Sequence, residues 1–253
     1  MNNKTYMDRD VILNAVHDLR ERYVLGNRER LSDLTRKHLH RGFYVRICIV
    51  EQAAVTLDEN LPMVGEPLDA HISIELTAHL NSIYLNIAAS MDNLAWALAF
   101  HHHLKAGLDE TSRESWNFVG LLNKPFLKAL RTSNLITLAN GLEDFADWYN
   151  DIKGFRDPFA HRIPLYVPPS VYSETDVEER KRLDNEAAEF FASDKHELGM
   201  EKVFEMERLG TYMPIFIAEG QNIKTYNLGQ KVTADVSRWH QISSLVMSAG
   251  FGL

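Results

Sequence analysis

The residues of this chain best suited to chemistry lie in segment 154–166, which reads GFRDPFAHRIPLY. Arg156 is followed directly by Asp157, and His161 comes after four intervening residues. A guanidinium can hold phosphate oxygens in a planar fork, and an imidazole can transfer a proton near neutral pH. These residue types at this spacing therefore predict chemistry on a phosphate group.

The local sequence decides whether these side chains can converge. In an unbroken helix, positions 156 and 161 would point about 140° apart, which is poor geometry for a shared ligand. Three features predict a break: Gly154 loosens the preceding helix, Asp157-Pro158 resembles an N-cap followed by a first-turn proline, and Pro164 limits the next turn. We therefore predict a kink that brings Arg156 and His161 together on one anion.

A second segment, ASMDNLAWAL at 89–98, lies on a long predicted helix that precedes the Arg–His segment. Together the two segments resemble the HEPN superfamily (higher eukaryotes and prokaryotes nucleotide-binding domain). That family consists of antiparallel helical bundles, and its hallmark is Arg, four to six residues, then His, usually with a polar residue directly after the Arg. The resemblance covers roughly residues 8–166 in architecture and is sharp over the short motif.

The resemblance implies a metal-independent endoribonuclease of a toxin–antitoxin or other defence system, acting as a homodimer whose Arg–His segments face one another. In that scheme Arg156 holds the phosphate and stabilises the charge of the transition state. His161 activates the RNA 2′-hydroxyl or protonates the leaving oxygen, and Asp157 orients one of these two side chains. RNA or a nucleotide is the expected ligand, an antitoxin is a further expected partner, and neither a metal nor a cofactor is expected.

Further residues are assigned supporting roles around this motif. We expect Arg162 and Lys153 to bind substrate, and Asp92 and Asn93 to support the site from the long helix. Two alternatives remain open. Other family members are catalytically silent and only bind nucleotides or mediate assembly, and the segment could also be a packed turn in which a buried Arg156 is satisfied by a carboxylate such as Asp92 or Asp157.

Composition limits the partners. The chain has 253 residues and a net charge of −8, so it has no general attraction to nucleic acid, and any such contact would need a local basic patch. One candidate patch, for which a solvated helix face is the alternative, comprises Arg28, Arg30, Arg36, Lys37, Arg41 and Arg46. The chain shows no apolar signal region or bilayer-length apolar run, so we expect no membrane association and a cytoplasmic location.

The hydrophobic pattern predicts a mainly α fold, an antiparallel helical bundle over residues 1–168. Residues 8–57 have helical spacing, with interruptions expected at Gly26 and Gly42. Asp69 is expected to cap a long central helix that ends near Leu104. Another helix is predicted over 134–153.

Residues 169–253 are predicted to form a C-terminal elaboration that packs on this bundle. Its first part, 173–209, is strongly charged and predicts one or two surface helices. A β-hairpin follows, with Gly220 in its turn and Pro214 marking the first strand as an edge. A last helix is predicted over about 231–247.

Two other groups of reactive residues carry weaker indications. His71, Glu75 and His79 follow one another at four-residue spacing, but the outer two would lie about 12 Å apart along a helix, too far for one metal ion. A solvated or cleft-lining stripe is therefore favoured. Cys48 is the single cysteine, so a disulfide within the chain is excluded, and its apolar neighbours predict a buried core thiol.

Overall fold

The structure is a computed structural model that describes residues 7–26, 28–161, 164–219 and 222–253, without the side chains of residues 28 and 157–161. This part of the chain is mainly helical and has a small antiparallel sheet near its C-terminal end, so the predicted fold class is confirmed. The helices are α1 (Arg9–Leu25), α2 (Asp33–Lys37), α3 (Val45–Asn60), α4 (Ala70–His101), α5 (Arg113–Phe118), α6 (Lys124–Thr132), α7 (Ile136–Glu143), α8 (Ala146–His161), α9 (Glu174–Ala192), α10 (His196–Glu207) and α11 (Leu228–Leu245). A 3-10 turn spans Arg28–Arg30, π-helical segments span His38–Tyr44 and Val246–Phe251, and the strands are β1 (Ile215–Glu219) and β2 (Ile223–Asn227).

Helix α4 is the centre of the bundle. Asp69 caps it as predicted, since its side chain accepts a hydrogen bond from the backbone N–H of His71 at 2.7 Å. The helix ends at His101, slightly before the predicted Leu104. Its apolar residues are buried almost all the way round from Leu94 onward, where His38 of the first π segment stacks on Trp96 and Phe100, and Gly250 of the second lies against Leu98.

The chain before α4 runs antiparallel to it. His38 lies beside Asn93 and Arg46 lies beside Asn86, so residues later in the earlier segment contact residues nearer the start of α4. The predicted interruption at Gly42 is wrong in kind, because the chain stays helical there and widens into the π segment His38–Tyr44. Gly42 is required at this point, since a Cβ would overlap the carboxamide of Asn93.

Cys48 was expected in the core, but its side chain is only half-buried. Helix α3 turns Ile47 and Val50 inward instead, and Ile49 is exposed. The apolar neighbours of Cys48 therefore lie on both the inner and the outer side of the helix, which the sequence pattern did not separate.

The region of the Arg–His motif differs most from expectation. The predicted single helix over 134–153 is two helices, because the chain turns between α7 and α8. Helix α8 then continues past Gly154 and across Pro158 to His161, so the predicted break at Asp157-Pro158 is wrong. A proline inside a helix displaces the carbonyl four residues earlier, and that position here is Gly154, whose backbone adjusts most easily.

The charged segment, predicted to form one or two surface helices, forms two, α9 and α10, which pack mainly against each other. The predicted hairpin is also present, with Ile215 opposite Asn227 in the β1–β2 register, while Gly220 lies outside the described residues. Pro214 precedes β1, whose other side exchanges two backbone hydrogen bonds between Ile217 and Tyr166, at 2.8 and 3.0 Å.

Helix α11 returns to the bundle and packs on α1 and α4. Buried Asp235 on α11 accepts hydrogen bonds from Tyr84 of α4 at 2.8 Å, from Trp148 of α8 at 3.1 Å and from Lys231 at 2.8 Å. The buried side chains of α11 belong to the same hydrophobic cluster as those of α1 and α4, while the domain boundary at residue 168 stays a prediction. No helix of the described ranges has the length and apolar character to cross a bilayer.

Candidate functional site

The centre of the candidate site is an ion pair between two helices. Arg156 of α8 donates from Nη1 to Oδ2 of Asp92 on α4, at 2.9 Å. The hydroxyl of Tyr149, two turns earlier on the same face of α8, donates to the other carboxylate oxygen at 3.4 Å. The Arg156 side chain is 26% exposed and that of Asp92 is 31% exposed, so the pair lies at the surface of the bundle rather than inside it.

Two opposing effects act on the pKa of Asp92. Desolvation against the packed helices raises the pKa of its carboxyl, and the positive charges of Arg156 and Lys153 partly offset this rise, together with the hydrogen bond from Tyr149. Lys153 lies over the Tyr149 ring, 4.8 Å from its centroid. The predicted residues therefore form one cluster, in which the cations Lys153 and Arg156 surround the carboxylate of Asp92.

The structure describes Arg156 of the predicted motif but not the side chains of the residues that follow it. The side chains of Asp157 and His161 are outside the described residues, and so is Arg162. The backbone of α8 is continuous, so positions 156 and 161 are about 140° apart around one helix axis. The predicted convergence of Arg156 and His161 within one chain depended on a break in this helix, and α8 has no such break.

Asn93, the second supporting residue, faces a different neighbour from Asp92. Its Nδ2 donates to the carbonyl of Ala89 at 2.7 Å, and its Oδ1 lies 3.4 Å from Nδ1 of His38. Asn93 and Asp92 are nevertheless both at the wall of one cavity of about 330 Å³, which opens between α4, the π segment and the turn before α5.

Glu110 organises the far side of this cavity. Its carboxylate pairs with Lys37 through one oxygen and with Nε2 of His38 through the other. The hydrogen bond from Lys37, together with that from His38, lowers the pKa of Glu110 despite some desolvation. Its backbone carbonyl accepts a hydrogen bond from the indole N–H of Trp116 at 2.6 Å, which fixes the position of that ring.

The remaining wall is formed by the rings of His38, Trp96 and Trp116. His38, Trp96 and Phe100 stack on one another at centroid distances of 5.5 to 5.8 Å, and Trp116 meets Trp96 edge to face at 5.5 Å. Trp96 is buried, whereas Trp116 is 53% exposed. A flat ring at the mouth of the cavity is therefore available to a ligand.

Arg46 provides the cation of this cavity. Its Nη1 donates to Oδ1 of Asn86 at 2.9 Å, but its buried Nε has no acceptor among the described residues. Desolvation lowers the pKa of Arg46, while the charge of Asp92 raises it. A guanidinium with an unsatisfied buried donor favours an anion beside it.

The rest of the predicted basic patch is partly neutralised. Arg36 pairs with Asp33, and the ring of His40 stacks between Tyr23 and Tyr44. An open groove of about 950 Å³ runs along these residues and the exposed Arg41. The described residues contain no group of three His, Cys, Asp or Glu side chains that could hold a metal ion.

Sequence reasoning missed Trp116 and Glu110 and assigned Arg46 only to a general basic patch. No spacing rule could have joined positions 46, 92, 110 and 116, because tertiary packing brings them together. One indication was present in the sequence: a tryptophan in a short, loop-rich segment has little core to enter, which favours an exposed ring.

Comparison of the chain with family models, with curated proteins and with solved structures gave no match.

Proposed function

We propose that the protein is a metal-independent endoribonuclease of HEPN type that acts as a homodimer. The observation that carries the proposal is the ion pair of Arg156 with Asp92, which holds a partly exposed guanidinium on a carboxylate that lines a cavity, with Lys153 beside it. A positioned, partly exposed guanidinium suits a phosphate of a polynucleotide, whose chain must pass along the surface.

The continuous helix α8 supports a site shared between two copies. Because positions 156 and 161 diverge by about 140° around α8, one chain does not direct both at the same phosphate. Two facing copies of α8 remove this difficulty, since Arg156 of one copy can meet His161 of the other. The resemblance to HEPN proteins implies the same arrangement.

The proposed reaction is an internal transfer of the RNA phosphate. His161 removes the proton of the 2′-hydroxyl, the 2′-oxygen bonds to phosphorus, and the bond from phosphorus to the 5′-oxygen breaks. The leaving 5′-oxygen takes up a proton, and the products are a 2′,3′-cyclic phosphate and a 5′-hydroxyl. Arg156 stabilises the charge on the non-bridging oxygens, Asp157 orients Arg156 or His161, and Arg162 and Lys153 hold the neighbouring strand.

The acidic net charge is compatible with RNA binding at this place. Residues 174–207 contain twelve acidic and five basic residues, a net charge of −7, out of −8 for the chain. The cavity beside α9 includes His71 at the start of α4, and Asp92 lies about 30 Å further along that helix. At physiological salt the Debye length is about 8 Å, so the acidic helices are screened from the site.

A second candidate is a non-catalytic module on the same fold, which binds nucleotides or mediates assembly. The same ion pair favours it, because Arg156 already has a carboxylate partner that ties α4 to α8. In this case the pair is a structural link, and cleavage is absent although the fold and dimer are intact.

The test is incubation of purified protein with structured and unstructured RNA in excess EDTA, beside His161→Ala and the matched control His196→Ala. His196 lies on the remote helix α10, 34 residues or more from the motif in sequence. Cleavage by the wild type and by His196→Ala, lost in His161→Ala, supports the proposal. No cleavage by a confirmed dimer at high concentration would transfer support to the non-catalytic module.

A further inference from the structure

We propose that the cavity beside the ion pair binds one unpaired nucleotide of the RNA, with its base on Trp116 and its phosphate on Arg46. The proposal rests on the proposed function for its ligand, RNA, but not on the cleavage step. It adds a specificity site that would confine the protein to single-stranded segments.

The first observation is the state of Trp116. Its ring is 53% exposed, yet it is fixed by the hydrogen bond from its indole N–H to the carbonyl of Glu110 and by edge contact with Trp96. A preorganised aromatic face at a cavity mouth is a platform on which a base can stack, and stacking needs a base that is not already paired.

The second observation is the charge balance of the cavity. Glu110 is neutralised by Lys37 and hydrogen-bonded to His38, and Asp92 is paired with Arg156. Arg46 is in none of the ion pairs among the described residues, and its buried Nε has no acceptor there. The net effect is one guanidinium without a direct ion-pair partner within a partly aromatic cavity, which is complementary to a group that combines a flat ring with an anion.

Size and position complete the match. A volume of about 330 Å³ is at the small end of ligand pockets and suits one nucleotide rather than a longer stretch. Asp92 is at the wall of the cavity and contacts Arg156 at 2.9 Å, so a nucleotide bound there is next to the phosphate at Arg156. The bound base would thus flank the proposed point of cleavage.

The experiment measures binding in the His161→Ala protein, so that substrate is not consumed and binding is separated from cleavage. Fluorescence anisotropy follows a labelled single-stranded RNA of about eight nucleotides, a duplex of the same sequence, and competition by AMP. Trp116→Ala, Trp116→Phe and Arg46→Gln are compared in this background, and circular dichroism checks their folding.

Two matched controls lie at the other end of the molecule. Phe204→Ala removes a ring of similar exposure, 50%, from α10. Arg180→Gln removes the same charge as Arg46→Gln from α9, beside the cavity at the start of α4. Neither control should change RNA affinity.

We expect Trp116→Ala to weaken single-strand binding about 5- to 150-fold and Trp116→Phe to keep most of it, because Phe retains a stacking ring. Phe lacks the hydrogen bond to Glu110, so an equal loss in both variants would indicate a positioning role instead and overturn the proposal. Arg46→Gln should reduce the slope of log K against log salt by about 0.7, the value for one phosphate contact in a single strand.

Other results of these experiments also support or overturn the proposed nucleotide site. Equal affinity for duplex and single strand, or AMP binding as tightly as the oligonucleotide, would overturn the assignment to an unpaired nucleotide of RNA. If Trp116→Ala has no effect while wild-type protein cleaves RNA in EDTA, the inference fails and the proposed function stands. If Trp116→Ala weakens binding but the wild type never cleaves, the inference stands and the proposed cleavage fails.

Discussion

The Arg156–Asp92 ion pair can be measured independently of any activity. The perturbation is a double-mutant cycle with Asp92→Asn, Arg156→Gln and the double variant. Both substitutions remove the charge; Asn keeps the size of the Asp92 side chain, whereas Gln is polar but shorter than Arg156. The cycle isolates the interaction between the two residues from the other effects of each substitution. It measures how much the interaction between α4 and α8 at this pair contributes to the free energy of unfolding.

The structure sets the expected size of the coupling. Two unit charges 4 Å apart attract by about 4 kcal/mol at an effective dielectric constant of 20, whereas fully exposed pairs measure about 0.2–1 kcal/mol. Both side chains here are about one-third exposed or less, and the joining hydrogen bond is 2.9 Å long. We therefore expect a coupling of about 1–2 kcal/mol, between these limits.

The assay is urea unfolding of the four proteins at neutral pH, followed by circular dichroism. A common m-value allows the midpoints to be compared as free energies of unfolding. A coupling below about 0.3 kcal/mol would refute the reasoning, since it would mean that the pair behaves as a solvent-exposed contact and does not hold Arg156 in place.

Three further predictions concern the framework of the site. Asp235→Ala should lower the free energy of unfolding by about 3 kcal/mol, because it removes an almost fully buried carboxylate that accepts three hydrogen bonds, one from a lysine; a loss below about 1 kcal/mol in urea would contradict this. Gly42→Ala should cost about 1–3 kcal/mol, since the new Cβ overlaps Asn93, and a thermal melt that is unchanged or raised would show that α4 can shift. The pKa of Glu110 is lowered chiefly by the hydrogen bond from Lys37, so the stabilisation by Glu110 is present above the pKa of the unfolded state and is lost as the pH falls through the folded value. Glu110→Gln should therefore lower the free energy of unfolding by about 0.5–1 kcal/mol at pH 7, and this difference from wild type should close below about pH 4. A difference that persists in acid would show that it does not come from the ionised carboxylate.

Local sequence features were sufficient for much of the fold. Asp69 caps α4 because its side chain satisfies a backbone N–H within two residues, which is a purely local requirement. The hairpin and the charged helices α9 and α10 were equally local, since alternation and charge pattern specify them without reference to distant residues.

The errors occurred where tertiary packing outweighs local preference. Gly42 suggested a helix interruption, but the glycine is there because α4 passes close to it at Asn93. Pro158 suggested a helix start, yet α8 runs through it with Gly154 four residues earlier. In both cases the sequence identified the unusual residue correctly, while its effect depended on neighbours that local pattern does not contain.

The site was predicted in part for the same reason. Arg156, Asp92 and Lys153 were chosen from two separate segments, and the structure brings them together. Trp116 and Glu110 were not chosen, because their significance arises from meeting α4 and the π segment in space.

The central claim is that Arg156 of one copy and His161 of another form one ribonuclease site. The direct measurement mixes two inactive variants, Arg156→Ala and His161→Ala, after partial unfolding and refolding together, and assays RNA cleavage in EDTA. If the site is shared, each mixed dimer has one intact site, and an equal mixture should regain about a quarter of wild-type activity. If both residues of a site come from the same chain, the mixture would remain as inactive as its components, and the account would be contradicted.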